Sequence, residues 1–229
     1  MDNQHPSLLV NEDECFQLLI GTLLGDSTIE KKNRSIVNTQ SIIHRDYVEM
    51  KYNIFKKYYK VGVLGESKNW GTNPKEELRV GIRYRIWDKE LSNKIERIMF
   101  DENHKRIIPN DLNIITPLTL LFWYLDDGAF IVRDNGKYIR RSLRIGLKSF
   151  SDESILRLID YLKEKYDISF RAEYDKGRNT ILKICMESVK EIAKFLELMY
   201  PFYNYIPKSL NYKFQPYFKE THLSHLNLV

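Results

Sequence analysis

Apolar positions along this chain recur with two different periods, and the switches between them lay out its elements. From Glu12 to Gly25, Phe16, Leu19, Ile20, Leu23 and Leu24 fall at helical spacing. Gly21 and Gly25 share one face of that helix, where a second helix backbone can approach closely. The charged stretch from Glu30 to Arg34 reads as a turn and Ser35 to Gln40 as a strand. His44 to Lys60 reads as an amphipathic helix with Tyr47, Met50, Ile54, Phe55 and Tyr58 inward and a basic outer face. Between Leu78 and Ile86 the alternation is strict: Val80, Ile82, Tyr84 and Ile86 take one side, Arg79, Gly81, Arg83 and Arg85 the other. A helix over Asp88 to Phe100 and a basic connector running to Pro109 follow.

The same order then repeats. Thr116 as cap and Pro117 at the first helical position start a helix that runs to Asp127-Gly128. Lys137 to Lys148 is strand-like, with Tyr138, Arg140, Ser142, Arg144 and Lys148 on its polar side. Ser151 followed by two acids opens a helix to about Tyr166. Ser169 to Tyr174 and Thr180 to Met186 form a predicted hairpin, and Glu187 to Tyr200 a last amphipathic helix. This pattern predicts two repeats, residues 12–110 and 111–214, followed by a tail at 215–229, with no Gly/Ser-rich linker between the repeats.

Both repeats begin with an apolar helix that runs straight into an acid, Leu19 to Ser27 (LIGTLLGDS) and Leu120 to Gly128 (LLFWYLDDG). A carboxylate there faces the negative end of the helix dipole, where it is disfavoured. Two such acids, Asp26 and Asp127, at equivalent places in a repeat call for a compensating cation, and a divalent metal ion between them is the natural candidate.

Composition narrows the setting. With 43% hydrophobic and 29% charged residues among 229, the chain reads as an ordinary folded protein. Lys and Arg number 36 against 31 Asp and Glu, a surplus too small to prove a polyanionic partner, so the distribution of charge has to decide. The only cysteines, Cys15 and Cys185, lie inside apolar periodic segments and read as buried thiols, while His222 and His225 lack the further ligands a zinc site needs. The first ten residues carry no basic-then-apolar signal, and the longest apolar run, Leu120 to Leu125, is far short of the roughly 20 residues a membrane span requires. A soluble intracellular protein is expected, from an organelle such as the mitochondrion or from a bacterial cytoplasm.

The two acid-ended segments resemble the paired motifs of single-chain LAGLIDADG homing endonucleases. Leu19, Gly21 and Asp26 match the nine-residue motif, and the Trp-Tyr-Leu-Asp-Asp-Gly ending of the second copy is similar to the yeast mitochondrial intron-encoded subfamily. Ile108-Pro109, Leu112, Thr116-Pro117 and Leu120 also match that subfamily, although Phe122 and Leu125 replace the usual Gly and first Asp. The resemblance spans residues 12 to 214. It implies an α+β, pseudo-twofold duplicated αββαββα fold, with the motif helices at its centre and two antiparallel sheets astride the DNA major groove. It further implies a monomer that makes a double-strand break at a long asymmetric site, using Mg²⁺ for which Mn²⁺ or Ca²⁺ can substitute.

On this resemblance Asp26 and Asp127 are the catalytic metal ligands, with Gly25 and Asp126 beside them. Tyr212-Lys213-Phe214 is similar to the subfamily's catalytic Tyr-Lys segment and makes Lys213 the second-half candidate for the basic residue that the family places near the attacking water. The equivalent first-half place holds Arg106, with Lys105 as the alternative, because arginine does not shed its proton. Gln40 matches the family's solvent-orienting residue, and Lys148 occupies the corresponding second-half place, so the two strands are expected to be cut unequally. Arg34, Arg79, Arg83, Arg85, Arg140, Arg144, Arg171 and Lys183 are the expected DNA contacts. An intron-RNA maturase on the same fold is the alternative function. A DNA-binding regulator reusing the scaffold is a third, although no separate helix-turn-helix is visible.

Overall fold

The computed structural model describes residues 10–30, 32–69, 79–147, 149–177 and 179–214. Three expectations therefore lie outside it: the absence of a leader in residues 1–9, the role of Lys148, and the tail 215–229. Arg79 is described in its backbone only.

The first repeat runs α1 (Glu12–Leu24), β1 (Ser27–Glu30), β2 (Ser35–Ser41), α2 (Arg45–Phe55), β3 (Gly65–Asn69), β4 (Arg79–Ile86) and α3 (Lys89–Met99). The second runs α4 (Pro117–Asp127), β5 (Gly128–Asp134), β6 (Ile139–Gly146), α5 (Asp152–Tyr166), β7 (Arg171–Tyr174), β8 (Ile181–Met186) and α6 (Val189–Met199). Two 3-10 segments, Tyr200–Tyr205 and Lys208–Lys213, bring the chain back to the centre. Each repeat closes one four-stranded antiparallel sheet, in the orders β1-β2-β4-β3 and β5-β6-β8-β7. The duplicated αββαββα architecture is thus the one expected.

Local chemistry explains the helix starts. Asn11 and Glu14 form a reciprocal capping box at the head of α1. Thr116 accepts from the Thr119 amide ahead of Pro117 at the head of α4. Helices α1 and α4 are apolar almost all round because both are central, and residues 118–125 are buried without exception. The two backbones nearly touch. A Cβ on Gly21 would lie 2.6 Å from the Thr119 carbonyl oxygen and 2.7 Å from the Phe122 Cβ, so only glycine fits there.

The sheets follow the period-two reading. Ile82, Tyr84 and Ile86 of β4 and Leu143 and Ile145 of β6 are buried against the helices. Arg83 and Arg85, and Arg140 and Arg144, occupy the alternate register positions on the opposite faces. Two details go beyond or differ from the sequence reading. β1 and β5, which it did not assign, start immediately after the terminal acids, so Asp26 and Asp127 sit at helix-to-strand junctions. The helix expected to reach Lys60 ends at Phe55, and its cationic residues do not all face water: Lys51 is fully buried beside Tyr47, Val48, Ile54 and Phe55.

Candidate active site

Because α1 and α4 cross side by side, their negative ends converge at one place, and Asp26, Asp126 and Asp127 gather there. Such a convergence needs positive charge, and the fold supplies it from three directions. Lys213, 6% exposed, donates to the carbonyls of Tyr124 (3.2 Å), Leu125 (2.5 Å) and Asp126 (3.2 Å), capping the end of α4. The Tyr124 hydroxyl returns a 2.8 Å bond to the Lys213 carbonyl. Burial pushes the Lys213 ammonium below its ordinary pKa, against the pull of Asp126, Asp26 and Asp127.

Lys51 enters from α2 and meets Asp126 at 3.3 Å, with both side chains fully excluded from water. Its ammonium also lies 4.0 Å from the centre of the Tyr47 ring. Burial pushes the Asp126 carboxyl up and the Lys51 ammonium down, and each charge pulls the other partway back. Asp126 also accepts from the Asp26 amide at 3.3 Å and from Gln40 Nε2 at 2.9 Å, and Gln40 Nε2 reaches Asp26 Oδ2 at 2.6 Å.

Arg106 supplies the third charge, beside Asp127. Its guanidinium lies over the Phe150 ring at 4.7 Å and donates to Ser149 Oγ at 3.4 Å, and burial lowers its pKa to about 10. Asp127 is pushed up to about 7, first by burial, then by Asp26 and Asp126, against the opposing pull of Arg106 and Lys213. Asp127, Arg106, Gly146, Ser149 and Lys183 line an open cavity of about 340 Å³.

The expected residues are therefore brought together with one rearrangement. Chain order assigns Arg106 to the first half and Lys213 to the second. In the folded chain Arg106 faces Asp127, and Lys213 sits under α4 with Asp126 and Asp26 as its strongest carboxylate neighbours. Lys105 is exposed in a turn, its amide held by Asp101 at 2.8 Å. Arg34 is exposed in the β1–β2 turn with φ 43°.

The outer sheet faces are less bare than the sequence suggests. Arg85 is held by Glu30 in a two-pronged contact, one prong at 2.9 Å, with Arg83 4.0 Å from the same carboxylate. On the second sheet Arg140 and Arg171 share Glu187 Oε1 at 2.8 and 3.1 Å, and Lys183 pairs with Glu173 at 2.8 Å. Arg144 instead donates to Ser142 Oγ at 3.0 Å. Glu30, Glu173, Glu187 and Lys51 were not anticipated. Lys51 alone carried a signal, a lysine four residues after Tyr47 and three before Ile54, on the stripe that faces the core.

Among the described residues no group of three or more His, Cys, Asp or Glu side chains is disposed to hold a metal ion unaided. Both cysteines are free and buried, and no helix among the described residues is long and apolar enough to cross a membrane.

Comparison with known proteins agrees with this architecture. Residues 16–192 match the LAGLIDADG DNA endonuclease family, and the chain belongs to that family. It is 28% identical over 202 residues to "Probable intron-encoded endonuclease 1" of Wickerhamomyces canadensis, covering 86% of this chain and 82% of that protein. It is 26% identical over 222 residues to "Protein RecA" of Mycobacterium shimoidei, covering 93% of this chain and 49% of that protein. The chain thus spans about half the length of the RecA relatives it matches. Among solved structures it superposes on the homing endonuclease I-WcaI bound to its DNA recognition sequence, with a TM-score of 0.69 and 25% identity, over 88% of this chain and 86% of that one.

Proposed function

We propose that this chain is a monomeric, intron-type homing endonuclease that makes a metal-dependent double-strand break at a long asymmetric DNA site. The observation that carries the reading is the meeting of Asp26 and Asp127, one acid from each repeat, at the joined ends of α1 and α4. The basic sheet faces support duplex DNA as the substrate, and the DNA-bound I-WcaI supports the same assignment by likeness.

The donor set suits Mg²⁺. That ion keeps several waters and takes one or two carboxylates plus phosphate oxygens, which matches acids too few to cage an ion alone. Asp26 and Asp127 would hold it, with Gly25 and Asp126 adjoining, and Mn²⁺ or Ca²⁺ would enter the same site. When bound, the metal supplies a water acidic enough to ionise near neutral pH and charge for the departing oxygen. The chain's own groups do the rest. Gln40 Oε1, buried and without a hydrogen-bond partner among the described residues, is an acceptor suited to orienting the attacking water. Lys213 offsets negative charge at the end of α4. Arg106 keeps its proton and acts by charge alone beside Asp127.

The test is cleavage of a randomised duplex library with and without Mg²⁺, followed by kinetics on the selected site. Mg²⁺-dependent double-strand cutting is expected, and full cutting by Asp26→Asn or Asp127→Asn would overturn the site assignment. Binding of an intron RNA with no cleavage of any duplex would replace the reading with a splicing maturase.

A further inference from the structure

The residue before Asp127 is Asp126, whereas the residue before Asp26 is Gly25. This inequality has a spatial use. A Cβ on Gly25 would come 2.4 Å from the Asp126 Cβ, so the bare backbone leaves room for Asp126 to lean across the helix crossing into the first half. There its carboxylate is received wholly by first-half groups: the Asp26 amide, Gln40 Nε2 and Lys51 Nζ. A fully buried lysine facing a fully buried acid is costly to assemble, and such a pair does not by itself imply a gain in stability.

What the pair does determine is the direction of an amide. Gln40 Nε2 is bonded to two carboxylates at once, 2.6 Å from Asp26 and 2.9 Å from Asp126. Carboxylates accept and do not donate, so the NH₂ end must face them and Oε1 must face away. That oxygen is buried and lacks a partner among the described residues. With Asp126 displaced, one of the two bonds that set this orientation disappears.

We propose that Lys51 is a positioning residue of the first-half centre. Its ammonium holds the Asp126 carboxylate across the crossing, and Asp126 in turn holds the Gln40 amide with its oxygen presented to the attacking water. The inference rests on the nuclease reading above and adds to it a residue on α2, well outside the motifs. In the second half, Gly25 stands where this clamp would need its acid, so the arrangement exists once and acts on one strand.

Two variants and two readouts test it. In Lys51→Met the rate of nicking one strand, measured on strand-specifically labelled target with Mg²⁺, falls about a hundredfold, the effect of roughly a 1 Å misplacement. The other strand's rate is retained. Because Lys51→Met leaves Asp126 buried without its countercharge, it can fail to fold. The double variant Lys51→Met/Asp126→Leu removes both charges and is expected to melt no lower than wild type while still nicking that strand slowly. The second readout is the Gln40 side-chain amide in ¹⁵N NMR spectra of the metal-free, DNA-free protein. Both of its protons should be protected from exchange in wild type, and the one bonded to Asp126 should lose that protection in the double variant. Wild-type cutting of both strands by the double variant, or unchanged Gln40 protection, would overturn the proposal. A wild type that cuts no duplex at all would instead sink the nuclease reading, since the amide readout needs neither DNA nor metal.

Discussion

The centre around Asp26 and the centre around Asp127 are built from equivalent elements and filled with different chemistry. At Asp26 the surroundings are crowded with hydrogen bonds from within the protein: Gln40 and the buried Lys51–Asp126 pair leave little freedom. At Asp127 there is an open cavity, an arginine held against Phe150, and an acid pushed up to about 7. The two repeats share a scaffold, and the residues beside the acids differ (Gly25 against Asp126), so that one side is ordered by contacts and the other is governed by charge. A shared backbone geometry therefore does not imply shared energetics.

This contrast can be broken experimentally, beginning with the acids. Asp26→Asn and Asp127→Asn are each expected to slow double-strand cutting at least about a hundredfold in a Mg²⁺-dependent plasmid assay, comparable to losing one strong transition-state contact. Equal nicking of both strands by either variant would contradict the idea of one acid per half. Next comes Gly25→Ala. Its methyl group would collide with Asp126, and overpacking of this kind costs about 1–3 kcal/mol, measurable by urea unfolding.

A pH measurement separates the two centres further. Asp127 is raised from an ordinary value of 3.8 to about 7, so between those values the folded chain binds more protons than the unfolded one. Its favourable contribution is therefore complete below pH 3.8 and is lost as pH rises through about 7. In metal-free buffer, wild type should melt progressively lower across that interval relative to Asp127→Asn, and parallel curves would refute the shift. Smallest of all is the effect of Glu30→Gln. Freeing Arg85 and Arg83 from the half-exposed Glu30 carboxylate should strengthen non-specific DNA binding slightly and steepen its salt dependence. By contrast, Arg83→Ala is expected to weaken binding to the selected target more than to random duplex, and an equal loss on both would make Arg83 a phosphate contact.

The architecture was readable because periodicity reports which side of an element is buried, and the strict alternation of β4 or the apolar stripe of α1 leaves little choice. β1 and β5 were not readable: Ser27–Glu30 is too short to show a period, and its pairing with β2 decides its state. The acids were legible because a charge at the end of a buried helix demands an answer. The answers themselves were not. Lys51 lies on the core-facing stripe of α2, but the acid it meets is set only when the two repeats come together, and Arg106 likewise comes beside Asp127 only in the folded chain, a tertiary event with no local signature. The carboxylates that hold the sheet arginines are likewise distant in sequence, Glu30 from Arg85 and Glu187 from Arg140.

Gly21 against the Thr119 carbonyl has a consequence of another kind. Where main chain rests on main chain, with only the first carbon of Phe122 beside it, the span between Asp26 and Asp127 is set largely by peptide geometry. The crossing serves as a gauge block. On the proposed function, residues on the outer sheet faces can be exchanged, and the choice of target with them, while the interval between the two acids stays constant.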